Sequence, residues 1–197
     1  MDVTQAIALD PDKAVYYKTR GDAYYAKKDY DSAIADYTQT IALDPYKAVY
    51  YNNRGDAYYA KKDYDSAIAN YNQAIAFDPN KADYYRDRGI VYSNKNNFDS
   101  AIDDYTQAIK LNPNEAVNYR YRGNAYYAKE DYDSAIADLT QAIRFDPHNG
   151  GNYYERGVVY CNSGDYDSGI PDLTQAIKLD PNNARYMENL NKAKRQR

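Results

Sequence analysis

Covalent and metal chemistry have little to work with in this chain. It holds one histidine, His148, and one cysteine, Cys161, among its 197 residues. A zinc site takes three or four ligands, and an activated nucleophile needs a base within hydrogen-bond reach. His148 stands in a turn sequence before Asn149-Gly150, and with Cys161 it makes neither arrangement. The repeated glycines sit singly inside helical sequence, and the pair Gly150-Gly151 is not part of a longer glycine-rich run, so no glycine-rich loop is present to cradle a phosphate. Catalysis, a metal and a cofactor are therefore not expected. What does recur at fixed spacing is a set of arginines, aspartates and tyrosines, which is the chemistry of ion pairing and aromatic contact.

These residues return every 34 positions. Glycine recurs at Gly21, Gly55, Gly89, Gly123 and Gly157, each preceded by arginine at Arg20, Arg54, Arg88, Arg122 and Arg156. Proline keeps the same step from Pro11 to Pro181. A fixed period of this length marks stacked supersecondary units. Five full units follow, 14–47, 48–81, 82–115, 116–149 and 150–183, with 1–13 matching the end of a preceding unit and 184–197 the start of a sixth. Each unit reads as two helices. In the first unit, Tyr17, Gly21 and Tyr24 share one face of helix A over about Val15–Lys27, while Ala33, Ile34, Tyr37 and Ile41 share the inner face of helix B over about Asp31–Leu43. An aspartate in Asp29-Tyr30-Asp31 caps helix B, and Asp44-Pro45 ends it. The repeated glycine and Ala33 are expected to let the two helices approach closely.

The net charge of −4 and pI of about 5.0 argue against nucleic acid as a partner, because phosphate binding needs concentrated Lys and Arg. The basic tail Lys192, Lys194, Arg195, Arg197 reads as a solvated terminus. A single cysteine permits no internal disulfide, which suits a reducing compartment, with the cytoplasm as the expected location. No apolar stretch approaches the ~20 residues of a membrane span. Met1-Asp2-Val3-Thr4-Gln5 lacks the basic and apolar regions of a signal peptide.

With an aromatic at position 4, Gly at 8, Tyr at 11 and Pro at 32 of every unit, and with Ala at 20, an aromatic at 24 and Ala at 27 in most of them, the chain resembles the tetratricopeptide repeat family. The second unit carries the set as Tyr51, Gly55, Tyr58, Ala67, Tyr71, Ala74 and Pro79. The resemblance implies an all-α, right-handed α-solenoid, a superhelix of antiparallel helix-turn-helix repeats. It further implies a concave groove lined by the A helices that holds a peptide or helix of a partner protein. One departure is systematic: arginine stands at position 7, with Asp36, Asn70, Asp104, Asp138 and Asp172 at position 23. We expect the two to pair between helices A and B, in preference to a row of arginines free to bind phosphate.

Most of the 27 tyrosines fall at packing positions, where a buried ring with a partnered hydroxyl is expected. The groove positions implied by the family carry Lys18, Asp22, Tyr25, Asn52, Asn53, Asp56, Tyr59, Asp83, Arg86 and Asp87 in the first three units. They carry Arg120, Tyr121, Asn124, Tyr127, Tyr154 and Glu155 in the last two. A subgroup of the family grips the C-terminal carboxylate of chaperones. Lys18 and Asn53 match its pattern, but Asp22, Asp83 and Asp87 stand where it has an amide and two basic residues, so an acidic tail would be repelled. The expected partner is a protein or peptide of basic or mixed charge with an apolar anchor. Self-association through the end helices, as a homo-oligomer, is the alternative. In the fifth unit, Gly150-Gly151, Gly169 and Pro171 suggest either relaxed packing or a reshaped groove mouth. Residues 184–197, with Tyr186, Met187 and Leu190, read as a capping helix.

Overall fold

The computed structural model describes residues 3–197, which form twelve α-helices. Residues 1 and 2, which belong to the expected leading half-repeat and to the segment compared with a signal peptide, lie outside the described residues. The chain divides into two compact units, one ending at Lys95 and the other running Asn96–Arg197. The first holds α1 (Val3–Leu9), α2 (Ala14–Ala26), α3 (Tyr30–Leu43), α4 (Ala48–Ala60), α5 (Tyr64–Phe77) and α6 (Ala82–Asn94). The second holds α7 (Phe98–Leu111), α8 (Ala116–Ala128), α9 (Tyr132–Phe145), α10 (Gly150–Asn162), α11 (Tyr166–Leu179) and α12 (Ala184–Gln196). Both units therefore run B, A, B, A, B, A. Within each, an A helix packs on the B helices before and after it, and also touches the next A helix, as α4 touches α6 and α10 touches α12. One face of each unit is thus built from A helices.

Local sequence sets the ends of these helices. Every B helix from α3 onward begins on a side-chain cap: Asp29, Asp63, Asn97, Asp131 and Asp165 each accept from the backbone N–H of the serine three residues on. Such a cap is worth ~1 kcal/mol. The B helix starts at Tyr30, one residue before the expected Asp31, because Asp29 is the capping residue. It stops at Leu43, after which Asp44 leaves the helical region, at φ −144° and ψ 83°, as the residue before a proline is disposed to do. Between A and B the chain turns through a left-handed residue, Lys28, Lys62 and Glu130 at φ near +62°, or Gly164 at +90°.

The core is made of small residues and tyrosines, joined by Val91, Leu139, Val159 and Leu173. A Cβ on Gly21 would lie 2.8 Å from the Tyr37 ring, and one on Gly55 2.8 Å from the Tyr71 ring, so the aromatic at position 24 fills the notch that the glycine leaves. The α10/α11 pair differs from the relaxed packing that was one expectation for the fifth repeat. A Cβ on Gly169 would meet the Gly157 carbonyl at 2.9 Å and the Cys161 sulfur closer still, so α10 and α11 approach backbone to backbone. The helix α11 continues through Pro171 without a break.

Arginine at position 7 ties helices together. Arg20 donates through Nε and Nη2 to both carboxylate oxygens of Asp36 at 2.7 Å, and Arg122 and Arg156 grip Asp138 and Asp172 in the same two-pronged way. Arg54 donates to the amide oxygen of Asn70 at 2.8 Å. The remaining guanidinium nitrogen reaches the preceding B helix, from Arg122 to Thr106, Arg156 to Thr140, Arg54 to Thr38 and Arg88 to Asn72. One side chain thereby joins its own hairpin and the repeat before it. Charge assistance makes these the strong class of hydrogen bond. On the turn edge, Lys61–Asp31, Lys95–Asp65 and Lys129–Asp99 pair across repeats, and such exposed pairs add little.

Candidate functional site

The A-helix face of the first unit gathers most of the acidic groove residues read from the sequence. Asp22, Tyr25, Asn53 and Asp56 line one open pocket of about 200 Å³, together with Tyr37. Tyr37 is a core residue of α3, 2 % exposed, yet its hydroxyl reaches through to the groove and donates to Asp22 at 3.0 Å. Tyr71 of α5 repeats the geometry and donates to Asp56 at 2.7 Å. Here tyrosine rather than phenylalanine has a plain reason: the ring fills the core while the hydroxyl serves a carboxylate on the other side. A second set of hydroxyls, those of Tyr51, Tyr85 and Tyr119, donates to the carbonyls of Pro45, Pro79 and Pro113 in the preceding turns.

The carboxylates of this face differ in how they are neutralised. Asp22 is paired with Lys18 at 2.7 Å. Asp83 and Asp87 share Arg86, at 2.6 and 3.2 Å. Among the described residues, Asp56 receives only neutral donors, Tyr71 and, at 3.3 Å, Asn52. Burial pushes its carboxyl up to about 7, the Tyr71 hydroxyl opposes this, the nearby Asp87 charge adds to it, and Arg86 partly offsets it. Asp87 is also raised, chiefly by burial. Tyr37 and Tyr71 are pushed upward by burial and by the adjacent aspartates, so both hydroxyls remain donors. Of the remaining expected groove residues, the Tyr59 ring packs beside Tyr64 at 6.1 Å and its hydroxyl accepts from Asn94.

The second unit carries a different lining. Arg120 and Asn124 both donate to Glu155, at 3.3 and 3.1 Å, so this arginine is neutralised by its own chain. Burial raises the Glu155 carboxyl, and Arg120 and Asn124 pull it back down. The Tyr127 hydroxyl accepts from Asn162. Two aromatics expected to face the groove, Tyr121 and Tyr154, also pack on neighbouring rings. Tyr121 stacks on Tyr105 with ring centroids 5.6 Å apart. Tyr154 is 7 % exposed and stacks on Tyr186 at 4.5 Å, because α12 packs on α10 as a further A helix. That helix also brings Arg185 and Asn189 to the same face as Val158. Ending the register at 183 and treating 184–197 as a cap leaves these residues out of the expected groove. The signal is present in the sequence, since Arg185 and Asn189 occupy positions 2 and 6 of a sixth unit.

Among the described residues, no three His, Cys, Asp or Glu side chains cluster so as to hold a metal ion. The Cys161 thiol is pushed up by burial, away from the thiolate a nucleophile needs. Among the described residues, no helix is long and apolar enough to cross a membrane.

Helix pairs in a 34-residue register, closed by a small residue against an aromatic, define an all-α solenoid repeat protein. A sequence model of the TPR repeat matches residues 21–62, 55–96 and 123–164, and two models of the tetratricopeptide repeat match 82–115 and 151–183. The chain belongs to the tetratricopeptide repeat family, whose members are in general protein-interaction scaffolds. No curated protein sequence matches it. Among solved structures, it is similar to YrrB, described as a TPR protein with an unusual peptide-binding site, at 21% identity and a TM-score of 0.77, covering 96% of this chain and 97% of that one. A MamA crystal structure is 25% identical, with a TM-score of 0.78 over 88% of this chain and 94% of MamA. Pseudomonas aeruginosa PilF is 18% identical, with a TM-score of 0.80 over 96% and 86%. The likenesses below 25% identity speak for the fold alone.

Proposed function

We propose that the protein is a peptide-binding scaffold whose first unit receives a basic or mixed-charge segment of a partner protein on its A-helix face. The observation that carries the reading is Asp56: a half-buried carboxylate at the edge of an open pocket which, among the described residues, has neutral hydrogen-bond donors and no cation within ion-pair distance. Burying a carboxylate is costly unless it is paired, so a lysine or arginine side chain entering the pocket would relieve that cost. The Tyr25 ring would flank its aliphatic stem. That YrrB is described as having a peptide-binding site lends the family-level part of the reading support.

Titration of the full chain with a capped lysine-rich peptide, followed by backbone amide shifts, tests this. Amides of α2, α4 and α6 should move, and Asp56→Asn or Asp22→Asn should weaken binding several-fold without lowering the melting temperature. Because the cation favours ionised Asp56, binding should release a proton. Affinity should then rise between pH 6 and 8, by at most ~10-fold per pH unit for one proton. Unchanged affinity in both variants would sink the assignment. Measured under the same conditions, the double variant Asp56→Asn, Asp87→Asn should have a flat pH profile.

A further inference from the structure

The same face of the second unit has a pocket of the opposite character. It lies between α10 and α12, has a volume of about 230 Å³, and is floored by Val158, Leu173 and Ala193. Arg185 and Lys192 stand at its rim with the Asn189 amide, and no carboxylate contributes to its walls. Among the described residues, neither Arg185 nor Lys192 has an acidic partner within ion-pair distance. The nearby Glu155 has its oxygens engaged by Arg120 and Asn124. Arg185 is instead held over the Tyr154 ring, 5.2 Å from its centroid, and Asn189 donates to the Tyr154 hydroxyl at 3.2 Å. The ring is fixed in turn by its stacking on Tyr186. A guanidinium seated on a clamped ring is pre-positioned, so little side-chain freedom is lost when an anion arrives.

Three repeats earlier, the corresponding residues are Asp56 for Val158, Tyr71 for Leu173, Asp83 for Arg185, Asp87 for Asn189 and Ile90 for Lys192. One scaffold thus carries acidic side chains in the first unit and cationic and apolar ones in the second.

We propose that the pocket between α10 and α12 is a separate binding site, for a polypeptide segment that carries side-chain carboxylates beside an aliphatic or aromatic residue. The apolar side chain occupies the floor over Val158 and Leu173. The carboxylate meets Arg185 and Lys192, while the Asn189 amide, donating to the Tyr154 hydroxyl and the Arg185 carbonyl, holds the wall in place. Charge complementarity selects this occupant over the basic segment assigned to the first unit, because a lysine here would face Arg185 and Lys192 with no carboxylate in the pocket wall.

The test uses the full chain and three hexapeptides capped at both ends, each with a central Leu-Phe pair flanked by glutamates, glutamines or lysines. Amide shifts and fluorescence anisotropy report binding. The glutamate peptide should move amides of α10 and α12 and leave α2 and α4 in place, and it should bind at least tenfold tighter than the glutamine peptide at low salt. Arg185→Glu with Lys192→Glu, both on exposed positions, should remove that preference while circular dichroism shows an unchanged melt. A second variant, Val158→Asp with Arg185→Asp and Asn189→Asp, gives this pocket the acidic lining of the first and should transfer its preference to the lysine peptide. Glutamate-peptide shifts absent from α10 and α12, or binding indifferent to the double charge reversal, would overturn the proposal. So would a single-stranded RNA hexamer that binds the pocket more tightly than the glutamate peptide. These readouts sit on helices and variants distinct from those that test the first unit, so either assignment can fail alone.

Discussion

The two units share one helix order and differ most tellingly at position 24 of the repeat. In the first unit it is tyrosine, Tyr37 and Tyr71; in the second, the complete repeats carry Leu139 and Leu173. All four side chains are at most 2 % exposed and fill the notch left by the helix A glycine. Yet only the tyrosines pass a hydroxyl through to the A-helix face, and there they meet Asp22 and Asp56. Where leucine stands instead, those two aspartates are replaced by Asn124 and Val158. Core packing and groove chemistry are therefore coupled through one residue. Asp22 and Asp56 are served by a donor from below, whereas Glu155 on the face of the second unit is served from the side by Arg120 and Asn124.

The largest effect expected from this contrast is on stability against pH. Asp56, with a carboxyl near 7 in the fold and near 4 in the unfolded chain, binds a proton in the native state over that interval. The first unit is therefore most stable at low pH within this window, loses stability as pH rises from about 4 to about 7, and levels off above, by up to ~4 kcal/mol. Carboxylates that are paired in the native state add the opposite slope at lower pH. Val158 occupies the corresponding place in the second unit, which should lack the loss. Amide exchange, read unit by unit at pH 5.5 and 7.5, measures it. Asp56→Asn should abolish the difference and raise the stability of the first unit at pH 7.5; equal pH slopes in the two units would break the comparison.

A smaller contrast lies in the arginine ties. Arg122 holds the Asp138 carboxylate, whereas Arg54 holds the Asn70 amide. Removing Asp138 leaves a guanidinium half-buried without its counter-charge, at ~3 kcal/mol, while removing the neutral Asn70 should cost ~1 kcal/mol. Urea melts of Asp138→Ala and Asn70→Ala compare the two directly. Restoring the rule with Asn70→Asp should stabilise by ~1 kcal/mol, and a loss there would show that the amide at position 23 is preferred in its own setting.

Next in size is the hydroxyl itself. Tyr71→Phe keeps the ring in its notch but removes the donor to Asp56, so a loss of ~1–2 kcal/mol is expected at pH 8, where Asp56 is ionised. The Asp56 titration, followed by carboxyl carbon shifts, should move above 7. The converse change, Leu173→Tyr, brings a hydroxyl toward Val158 with no acceptor and should destabilise. Little change in either variant would separate core from groove and undo the coupling argued above.

How much of this was legible in the sequence depended on what each residue answers to. The 34-residue period, the caps and the Pro stops are fixed by local backbone demands, so the helix bounds could be read within a residue or so. The groove residues of the first unit were legible as a set because the family register places them. Their chemistry was not, since burial and the reach of Tyr37 and Tyr71 from the far helix exist only once the hairpin closes. How far Tyr154 is covered was not legible for a related reason: whether a position faces open groove or a neighbouring A helix depends on a helix following it, and α12 does follow. Gly169 likewise makes sense only beside Cys161, whose sulfur occupies the space that a Cβ would take.

The smallest expected effect concerns the turn between the helices, where the units differ in residue type but not in backbone. Lys28 and Lys62 adopt φ of +63°, while the fifth repeat has Gly164 at +90°. A side chain in the left-handed region costs ~1 kcal/mol against glycine, since its Cβ crowds the carbonyl. A Cβ added at Gly164 would meet nothing within 4 Å, so backbone conformation alone decides the outcome. Gly164→Ala should therefore cost ~1 kcal/mol in a urea melt. Lys28→Gly should gain less than that, because glycine also adds freedom to the unfolded chain and because the turn's two backbone bonds, Lys28 N–H to Tyr25 and Asp29 N–H to Tyr24, are already formed. Should Lys28→Gly instead destabilise by as much as Gly164→Ala, unfolded-chain entropy rather than left-handed strain would govern these turns, and the two units would be equivalent there despite their different residues.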